Sequence, residues 1–183
     1  MKGNFYVVFA PSGAGKTAIV NSLTTNRGIT TTSRVPRKGE VHGVDYYFIS
    51  KTKFEELIHQ GMFIEWAVYE RGGNKEYYGL TKEEFHKRLE QGDLFVICTI
   101  DGVRHYKSVY PNTIAVYIDS SFEDVKKQLH TRGSKAEEIE GALNLYSKEA
   151  KTKGIADYII KNCYGELNKA IEQFKEIIEK NKN

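Results

Sequence analysis

The chain has 183 residues, of which 40% are hydrophobic and 28% are charged. A chain of this length usually forms one folding unit and buries enough apolar surface to fold without disulfides, which excludes a disulfide-stapled mini-protein and a disordered tail. Lysine and arginine exceed aspartate and glutamate by only 27 to 24, which argues against a dedicated nucleic-acid-binding protein. The longest apolar run, Phe5 to Ala10, is far shorter than the roughly 20 residues of a membrane-spanning helix.

Cysteine usage and the N-terminal residues predict a cytoplasmic protein. Cys98 and Cys163 are far apart, match no metal-ligand spacing and suit a reducing compartment, where we expect both in the core. No signal-peptide hydrophobic region follows Met1-Lys2-Gly3-Asn4. We expect a monomer or a weak homodimer that has neither a nucleic-acid nor a membrane partner.

Strand-like and helix-like segments alternate along most of the chain. Apolar, β-branched runs predict buried strands at 4–10, 94–100, 113–118 and 157–160. Helical periodicity predicts helices at 18–23, 81–91, 121–131, 137–148 and 165–180. This alternation is typical of an α/β fold in which helices flank a parallel sheet.

Residues 30–78 interrupt that alternation, because they are rich in threonine, tyrosine, glycine and charge. Short strands are predicted at 45–49 and 63–67, with a helix at 53–59 between them. We interpret this segment as a small mixed α/β excursion from the parallel core. Tyr47 and Trp66 are expected in the excursion's own core.

A glycine-rich loop joins the first predicted strand to the first predicted helix. Its sequence is Ala10-Pro11-Ser12-Gly13-Ala14-Gly15-Lys16-Thr17, with alanine where the pattern usually begins with glycine. The glycines let consecutive backbone N–H groups turn towards an anion, and the helix N-terminus adds partial positive charge. Lys16 can contact the β- and γ-phosphates, while the hydroxyl of Thr17 can bind Mg²⁺. The loop therefore predicts a site for ATP and Mg²⁺ that spans residues 11–17.

Further segments resemble a known family. They are Thr30-Thr31-Thr32-Ser33-Arg34-Val35-Pro36-Arg37-Lys38-Gly39-Glu40-Val41-His42-Gly43-Val44-Asp45-Tyr46-Tyr47-Phe48, Phe63-Ile64-Glu65-Trp66-Ala67 and Tyr77-Tyr78-Gly79. With the phosphate loop, and as far as the strand at 157–162, they resemble guanylate kinases in order and spacing. The resemblance implies a P-loop three-layer fold and transfer of the γ-phosphate of ATP to GMP or dGMP. It divides the chain into a core (1–29, 81–120 and 151–183), a GMP-binding subdomain (30–80) and a helical lid (about 121–150).

Two arginines of this segment are candidates for the acceptor phosphate. Arg34 and Arg37 would face opposite sides of a straight strand, but Pro36 bends the chain so that both guanidinium groups can converge on one phosphate. The resemblance implies that both arginines bind the phosphate of GMP, together with the hydroxyls of Tyr46 and Tyr78.

Glu65 is the candidate for base recognition. A carboxylate only accepts hydrogen bonds, and guanine offers two adjacent donors, N1–H and the N2 amine, where adenine presents an acceptor at N1. The resemblance implies that Glu65 recognises guanine with help from Thr30. It also implies that Asp101, expected at the carboxyl end of the 94–100 strand, lies near the GMP site and the metal. From the local sequence alone, a solvent-facing glutamate and a helix-capping aspartate remain open alternatives.

The chain departs from the family pattern in four places. The run Thr99-Ile100-Asp101-Gly102-Val103-Arg104 stands where the family usually has Asp-Ile-Asp-x-Gln-Gly, with the loss of one carboxylate. Leu80 replaces a serine or threonine, and the loop 68–76 carries extra charged residues. Of three lid arginines only Arg132 is kept, and Gln128 and Ala142 occupy the other two positions. We expect Arg132 to close over the transferring phosphoryl group. Candidate substitutes for the lost arginines are Lys126, Lys127, Lys135, Lys148 and Arg104.

Two other functions are compatible with parts of the pattern. Ribose 1,5-bisphosphate phosphokinases resemble guanylate kinases but need no glutamate that recognises guanine, so Glu65 argues against that activity. Guanylate-kinase-like modules of scaffolding proteins bind phosphopeptides at the former GMP site and typically have a degraded phosphate loop. Lys16 and Thr17 argue against such a module, and the altered lid favours it.

Overall fold

The computed structural model describes residues 3–24, 26–37, 39–71 and 74–182, which form two sheets flanked by helices. The strands are β1 (Phe5–Phe9), β2 (Thr31–Thr32), β3 (Tyr47–Phe48), β4 (Phe63–Arg71), β5 (Asn74–Thr81), β6 (Leu94–Ile97), β7 (Thr113–Asp119) and β8 (Tyr158–Lys161). The helices are α1 (Lys16–Leu23), α2 (Lys51–His59), α3 (Lys82–Gln91), α4 (Ile100–Val109), α5 (Phe122–Thr131), α6 (Ala136–Ala150) and α7 (Leu167–Lys180), with a 3₁₀ turn at Lys151–Ile155.

The first sheet is parallel and has the strand order β6-β1-β7-β8. Its central strand β1 is buried along its whole length because helices cover both faces. Tyr6 and Val8 pack into the core cluster that includes α1, α5 and α7, whereas Phe5, Val7 and Phe9 pack with α3 and α4. The predicted α/β fold with a flanked parallel sheet is confirmed. In the part of the chain that the structure describes, no helix combines the length and the apolar character that crossing a membrane requires.

The second sheet is mixed and has the strand order β3-β2-β5-β4. Its strands β2 and β3 are parallel, whereas β2–β5 and β4–β5 are antiparallel. Helix α2 packs on this sheet through Phe54, whose ring stacks on that of Phe63 with centroids 4.4 Å apart. This sheet lies in the segment where the sequence predicts a mixed excursion from the parallel core.

The hairpin of β4 and β5 is longer than predicted. β4 continues past Ala67 to Arg71, and β5 is a strand that the sequence analysis did not predict. Charge and glycine in residues 68–76 were interpreted as a loop, but an antiparallel hairpin accepts polar residues on its solvated face. Gly72 and Gly73 lie outside the described residues.

Two side chains predicted in the core are exposed. Trp66 is 45% exposed, because neighbouring residues of a strand point to opposite faces and Glu65 and Ala67 take the side of the cleft described below. Cys163 follows the end of β8 and is also exposed, whereas Cys98 is half-buried.

The segment predicted as one strand over 94–100 is divided between a strand and a helix. β6 ends at Ile97, in register with Val8 of β1. The Thr99 side chain then caps α4 by accepting a hydrogen bond from the N–H of Gly102 (3.4 Å). Helix α4 was not predicted, because a short apolar run does not by itself distinguish a strand from a helix.

Helices α5 and α6 follow β7 and pack against each other. Tyr146 of α6 joins them, because its hydroxyl donates to the carbonyl of Ser120 (2.8 Å) and its ring meets Phe122 edge-on. The packing of α5 against α6 places polar residues of both helices beside the phosphate loop.

Candidate active site

A cleft of about 980 Å³ lies between the carboxyl ends of β1 and β6 and one face of β4 and β5. The predicted site residues that line it are Ser12, Gly13, Gly15, Lys16, Thr17, Thr30, Arg34, Arg37, Tyr46, Glu65, Tyr78 and Arg132. Three predicted residues, Pro11, Ala14 and Asp101, are not part of its lining. The fold therefore brings the phosphate loop and the predicted acceptor residues to one site.

The phosphate loop is shaped by its glycines and by contacts from behind. Gly15 has a φ of +91°, and a Cβ there would lie 2.4 Å from the Asn162 side-chain nitrogen, so the position admits no side chain. Asn162 also donates to the carbonyl of Ala14 (2.9 Å). Pro11 and Ala14 are buried and support the loop rather than line it. Helix α1 begins at Lys16, so its free N–H groups face the loop.

Lys16 is held at the centre of the loop by backbone oxygens. Its Nζ donates to the carbonyls of Ala10 (2.8 Å) and Pro11 (3.0 Å). Burial lowers the pKa of Lys16 to about 8, although Glu149 opposes that shift. The Glu149 carboxylate accepts a hydrogen bond from the N–H of Ser12 (3.3 Å), so an acidic side chain already lies at the anion-binding loop.

Arg34 is buried, and each of the three nitrogens of its guanidinium group donates one hydrogen bond. It donates to the carbonyl of Val35 (2.7 Å), the carboxylate of Glu40 (2.8 Å) and the hydroxyl of Tyr78 (3.2 Å). Burial opposes the charge of Arg34, but the hydrogen bonds that it donates to Glu40 and Tyr78 raise its pKa above the ordinary value. The other oxygen of Glu40 accepts from the backbone N–H of Arg37 (2.7 Å), so this carboxylate joins the two arginine positions.

Two tyrosines complete the cationic end of the cleft. The guanidinium carbon of Arg34 lies 5.3 Å from the ring centroid of Tyr46, a cation–π contact, and the rings of Tyr46 and Tyr78 meet at 6.0 Å. Gly79 lets β4 and β5 approach closely, because a Cβ there would lie 2.9 Å from the carbonyl oxygen of Glu65. The Tyr78 hydroxyl accepts from Arg34 and donates to Glu76 (3.0 Å), so in this structure the guanidinium group of Arg34 and the hydroxyl of Tyr46 are the groups that can hold an anion here.

Glu65 lies on β4 with its side chain towards the cleft. Burial raises the pKa of its carboxyl, while a hydrogen bond from Tyr106 and the nearby His105 lower it. The Tyr106 hydroxyl donates to Oε2 of Glu65 (3.3 Å). Thr30 lines the same cleft, so a carboxylate and a hydroxyl face the space where a base can enter.

Asp101 does not lie where the sequence analysis expected it. Its side chain is 80% exposed in the first turn of α4 and pairs with Arg104 (3.1 Å). The reason is the early end of β6, which leaves Thr99 as the polar side chain at the cleft.

The lid helices bring one predicted cation to the cleft. Arg132 caps the C-terminus of α5 and donates twice to the hydroxyl of Ser134 (2.9 and 3.1 Å). Gln128 lines the cleft as a neutral amide, whereas Ala142 is buried in the core between the helices. None of the candidate substitutes, which all lie in the described ranges, is part of the cleft lining: Lys126, Lys127, Lys135, Lys148 and Arg104.

Four contacts at the site were not anticipated from the sequence. They involve Glu40 with Arg34, Tyr69 with Thr99, Tyr106 with Glu65, and Glu149 with Ser12. Three of these pairs join parts of the chain that are 30, 41 and 137 residues apart, whereas Glu40 lies six residues from Arg34 in the same loop. The strand alternation of Glu65, Ala67 and Tyr69 is the one sequence signal that could have indicated Tyr69.

The donor set of the phosphate loop fits Mg²⁺ bound together with a nucleotide. Mg²⁺ keeps several waters and takes few protein ligands beside phosphate oxygens, and Thr17 offers an exposed hydroxyl at the start of α1. Within residues 3–182, apart from those not described, no group of three His, Cys, Asp or Glu side chains is arranged to hold a metal ion by itself. A metal that arrives with its nucleotide is consistent with both observations.

A parallel sheet, a glycine-rich loop that opens α1 and a cationic cleft at the strand ends define a P-loop nucleotide-binding protein. Comparison with known proteins narrows this class. The family model described as guanylate kinase matches residues 2–181. The chain therefore belongs to the guanylate kinase family.

Individual relatives agree with this family. The guanylate kinase of Clostridioides difficile (strain 630) is 35% identical over 191 residues, which cover 100% of this chain and 90% of the relative. That of Helicobacter pylori (strain ATCC 700392 / 26695) is 35% identical over 96% of this chain and 84% of the relative. The crystal structure of guanylate kinase from Anaplasma phagocytophilum matches with a TM-score of 0.75 at 22% identity, over 98% of this chain and 86% of that one, and supports the fold.

Proposed function

We propose that this chain is an enzyme that transfers the γ-phosphoryl group of ATP to GMP or dGMP, giving ADP and the corresponding diphosphate. One observation carries the proposal: a buried arginine and a half-buried glutamate face the same cleft as an intact phosphate loop. Membership of the guanylate kinase family supports the same reaction.

The donor end binds ATP as its Mg²⁺ complex. Backbone N–H groups of residues 12–17 hold the β- and γ-phosphates, and Lys16 neutralises their charge. Thr17 would hold the ion through its hydroxyl, and the ion would supply charge neutralisation at the phosphates. A second cavity of about 290 Å³ shares Gly15, Gln128 and Arg132 with the cleft, which supports it as the space for the donor nucleoside.

The acceptor end binds GMP through both its phosphate and its base. Arg34 and Arg37 bind the phosphate with the hydroxyls of Tyr46 and Tyr78, because a guanidinium fork matches phosphate oxygens. Glu65 accepts hydrogen bonds from N1–H and the N2 amine of guanine, and Thr30 contacts the base beside it. AMP is rejected because its N1 would leave the carboxylate without a donor.

Catalysis rests on positioning and charge, without a covalent intermediate. Arg132 closes over the transferring group, and the GMP-binding subdomain (residues 30–80) and the lid (about 121–150) move towards the core to exclude water. With Gln128 and Ala142 at the other lid positions, and without a cleft carboxylate at Thr99, we expect slow turnover. An arginine at such a position contributes about 10³–10⁵ in rate in other phosphoryl transferases.

The surroundings in which the enzyme works are also part of the proposal. Two cysteines without a disulfide suit the cytoplasm, and the reaction needs no second subunit. We propose a monomer or a weak homodimer. Sedimentation at several protein concentrations, with and without nucleotides, tests this assignment.

The test is a coupled assay of ADP release with ATP–Mg²⁺ and a panel of acceptors: GMP, dGMP, AMP, CMP, UMP and ribose 1,5-bisphosphate. We expect turnover with GMP and dGMP alone, and a loss of about a thousandfold in Lys16→Ala, which removes a charge that contacts the transferring group. Thermal denaturation of the variant controls for folding.

Three results would contradict the proposal. Turnover with ribose 1,5-bisphosphate in place of GMP would indicate the alternative phosphokinase. Tight GMP binding without turnover would indicate a binding module whose altered lid no longer supports transfer. Activity that survives Lys16→Ala would come from a contaminating kinase.

A further inference from the structure

Tyr106 places one polar atom in an otherwise apolar setting. Its ring is 1% exposed in α4 and meets Phe5 edge-on at 5.2 Å. Its hydroxyl lies at the wall of the cleft and donates to Oε2 of Glu65 (3.3 Å). A tyrosine hydroxyl at the edge of a core is retained at a cost in desolvation, which this hydrogen bond offsets.

The neighbours of Glu65 make this contact the main restraint on its carboxylate. Across the hairpin Glu65 pairs with Leu80, which is buried and has no polar group to offer. The titratable groups that face Glu65 are Tyr106 and His105 of α4, Cys98 after β6, and Tyr69 of its own strand. The His105 ring nitrogen is engaged with the carbonyl of Ile64 (2.7 Å), and the Tyr69 hydroxyl donates to Thr99. Tyr106 is therefore the neighbour whose hydroxyl reaches the carboxylate itself.

We propose that Tyr106 is a positioning residue that fixes the orientation of the Glu65 carboxylate and thereby sets the discrimination between guanine and bases with fewer donors. This inference rests on the proposed function. One oxygen of Glu65 is held by Tyr106 and keeps a lone pair for the base, and the other oxygen is free for the second donor. A fixed carboxylate plane favours a two-donor contact, because both hydrogen bonds require the same orientation.

Hypoxanthine, the base of inosine monophosphate, can distinguish a role of Tyr106 in positioning Glu65 from a role in packing. Inosine monophosphate keeps N1–H but lacks the N2 amine, so it makes one hydrogen bond with a carboxylate where GMP makes two. A carboxylate that rotates freely still satisfies one donor, but it satisfies two only part of the time. Loss of the Tyr106 hydroxyl must therefore weaken the binding of GMP more than the binding of inosine monophosphate.

The experiment compares Tyr106→Phe with Tyr110→Phe. Tyr110 lies on the same helical segment and packs on Phe5 and Phe85, so its variant removes a hydroxyl from the same core without touching Glu65. We measure kcat/KM and calorimetric Kd for GMP and inosine monophosphate, and KM for ATP. For Tyr106→Phe we expect kcat/KM and binding affinity to fall about tenfold for GMP and about threefold for inosine monophosphate. These are the losses expected when one charge-assisted hydrogen bond is removed. KM for ATP and the melting temperature stay as in the wild type.

A pH profile adds a readout that packing alone does not move. The Tyr106 hydrogen bond lowers the pKa of the Glu65 carboxyl, so its loss raises that pKa. The acidic limb of kcat/KM for GMP should then shift to higher pH in Tyr106→Phe and stay unchanged in Tyr110→Phe.

Two outcomes would overturn the inference. An unchanged GMP-to-inosine-monophosphate ratio in Tyr106→Phe would show that the hydroxyl does not position Glu65. Equal losses for GMP, inosine monophosphate and ATP would show a packing defect. A wild-type chain that fails to bind GMP at all would instead refute the proposed function, so the two failures are distinguishable.

Discussion

The two ends of the cleft are built in different ways. The donor end is largely local: residues 10–17 form one turn whose backbone holds Lys16, the groups that we assign to the phosphates are N–H groups of the same turn, and Asn162 supports the turn from behind. The acceptor end is assembled from distant parts of the chain, because Arg34, Glu65 and Tyr106 come from a loop, a strand and a helix. A local site depends on its own backbone, whereas an assembled site depends on the contacts that hold its side chains.

This difference predicts how each end fails. At the donor end, substitutions act through charge. At the acceptor end they also act through the partner that is left behind, since removal of Arg34 leaves Glu40 unpaired and removal of Tyr106 releases Glu65.

The largest effect is expected at Arg34. Arg34→Ala removes the buried guanidinium group that we assign to the acceptor phosphate, and we expect kcat/KM for GMP to fall about a thousandfold. Steady-state kinetics with varied GMP, and with varied ATP at saturating GMP, measure this. KM for ATP should change little, because the donor end is built independently.

Two further variants separate the lost contact from the orphaned carboxylate. Arg34→Lys keeps the positive charge but lacks the planar guanidinium group. We expect its kcat/KM for GMP to be about tenfold higher than that of Arg34→Ala. Arg34→Ala combined with Glu40→Ala removes both partners, so any recovery over Arg34→Ala alone measures repulsion of the phosphate by Glu40. Full recovery in the double variant would contradict a direct role of Arg34.

The second largest effect is expected at Glu65, on the preference for guanine over adenine. Glu65→Gln replaces one acceptor oxygen with an NH₂ donor that faces a donor of guanine, and we expect the preference for GMP over AMP to fall about a hundredfold. Competition kinetics with both acceptors measure the ratio. Glu56→Gln is the matched control, because Glu56 is exposed on α2 and pairs with Lys53 on the same helix. If Glu65→Gln kept the wild-type preference, another group would recognise the base.

The difference between a local and an assembled site also explains which features could be predicted from the sequence. The phosphate loop and the buried strand β1 were predicted because their signals are contiguous: a glycine pattern, and an apolar run that ends in a turn. The helix α4 was missed because residues 97–100 (Ile-Cys-Thr-Ile) fit either period, and the strand end was decided by pairing with β1. The contacts of Tyr106 with Glu65 and of Tyr69 with Thr99 depend on tertiary packing across 41 and 30 residues, which one sequence does not reveal.

The smallest effect tests whether the donor end is as self-contained as its loop suggests. Glu149 comes from α6 and accepts a hydrogen bond from the N–H of Ser12, a group that we assign to the phosphates of ATP. Glu149→Gln removes a like charge from that space, so we expect ATP–Mg²⁺ to bind about threefold more tightly at neutral pH. Calorimetry measures the Kd, and Glu140→Gln, exposed on the same helix, is the control.

The gain in ATP–Mg²⁺ affinity expected for Glu149→Gln should decrease as the pH rises. Burial lowers the pKa of Lys16 to about 8, and Glu149 holds it above the value that burial alone would give. Without the carboxylate, the pKa of Lys16 falls further, so the lysine loses its charge at a lower pH. The tighter binding of Glu149→Gln should therefore be present below pH 7 and shrink as the pH rises through about 8. Weaker binding at every pH would mean that the carboxylate supports the loop, and that the donor end depends on Glu149 as well as on Asn162.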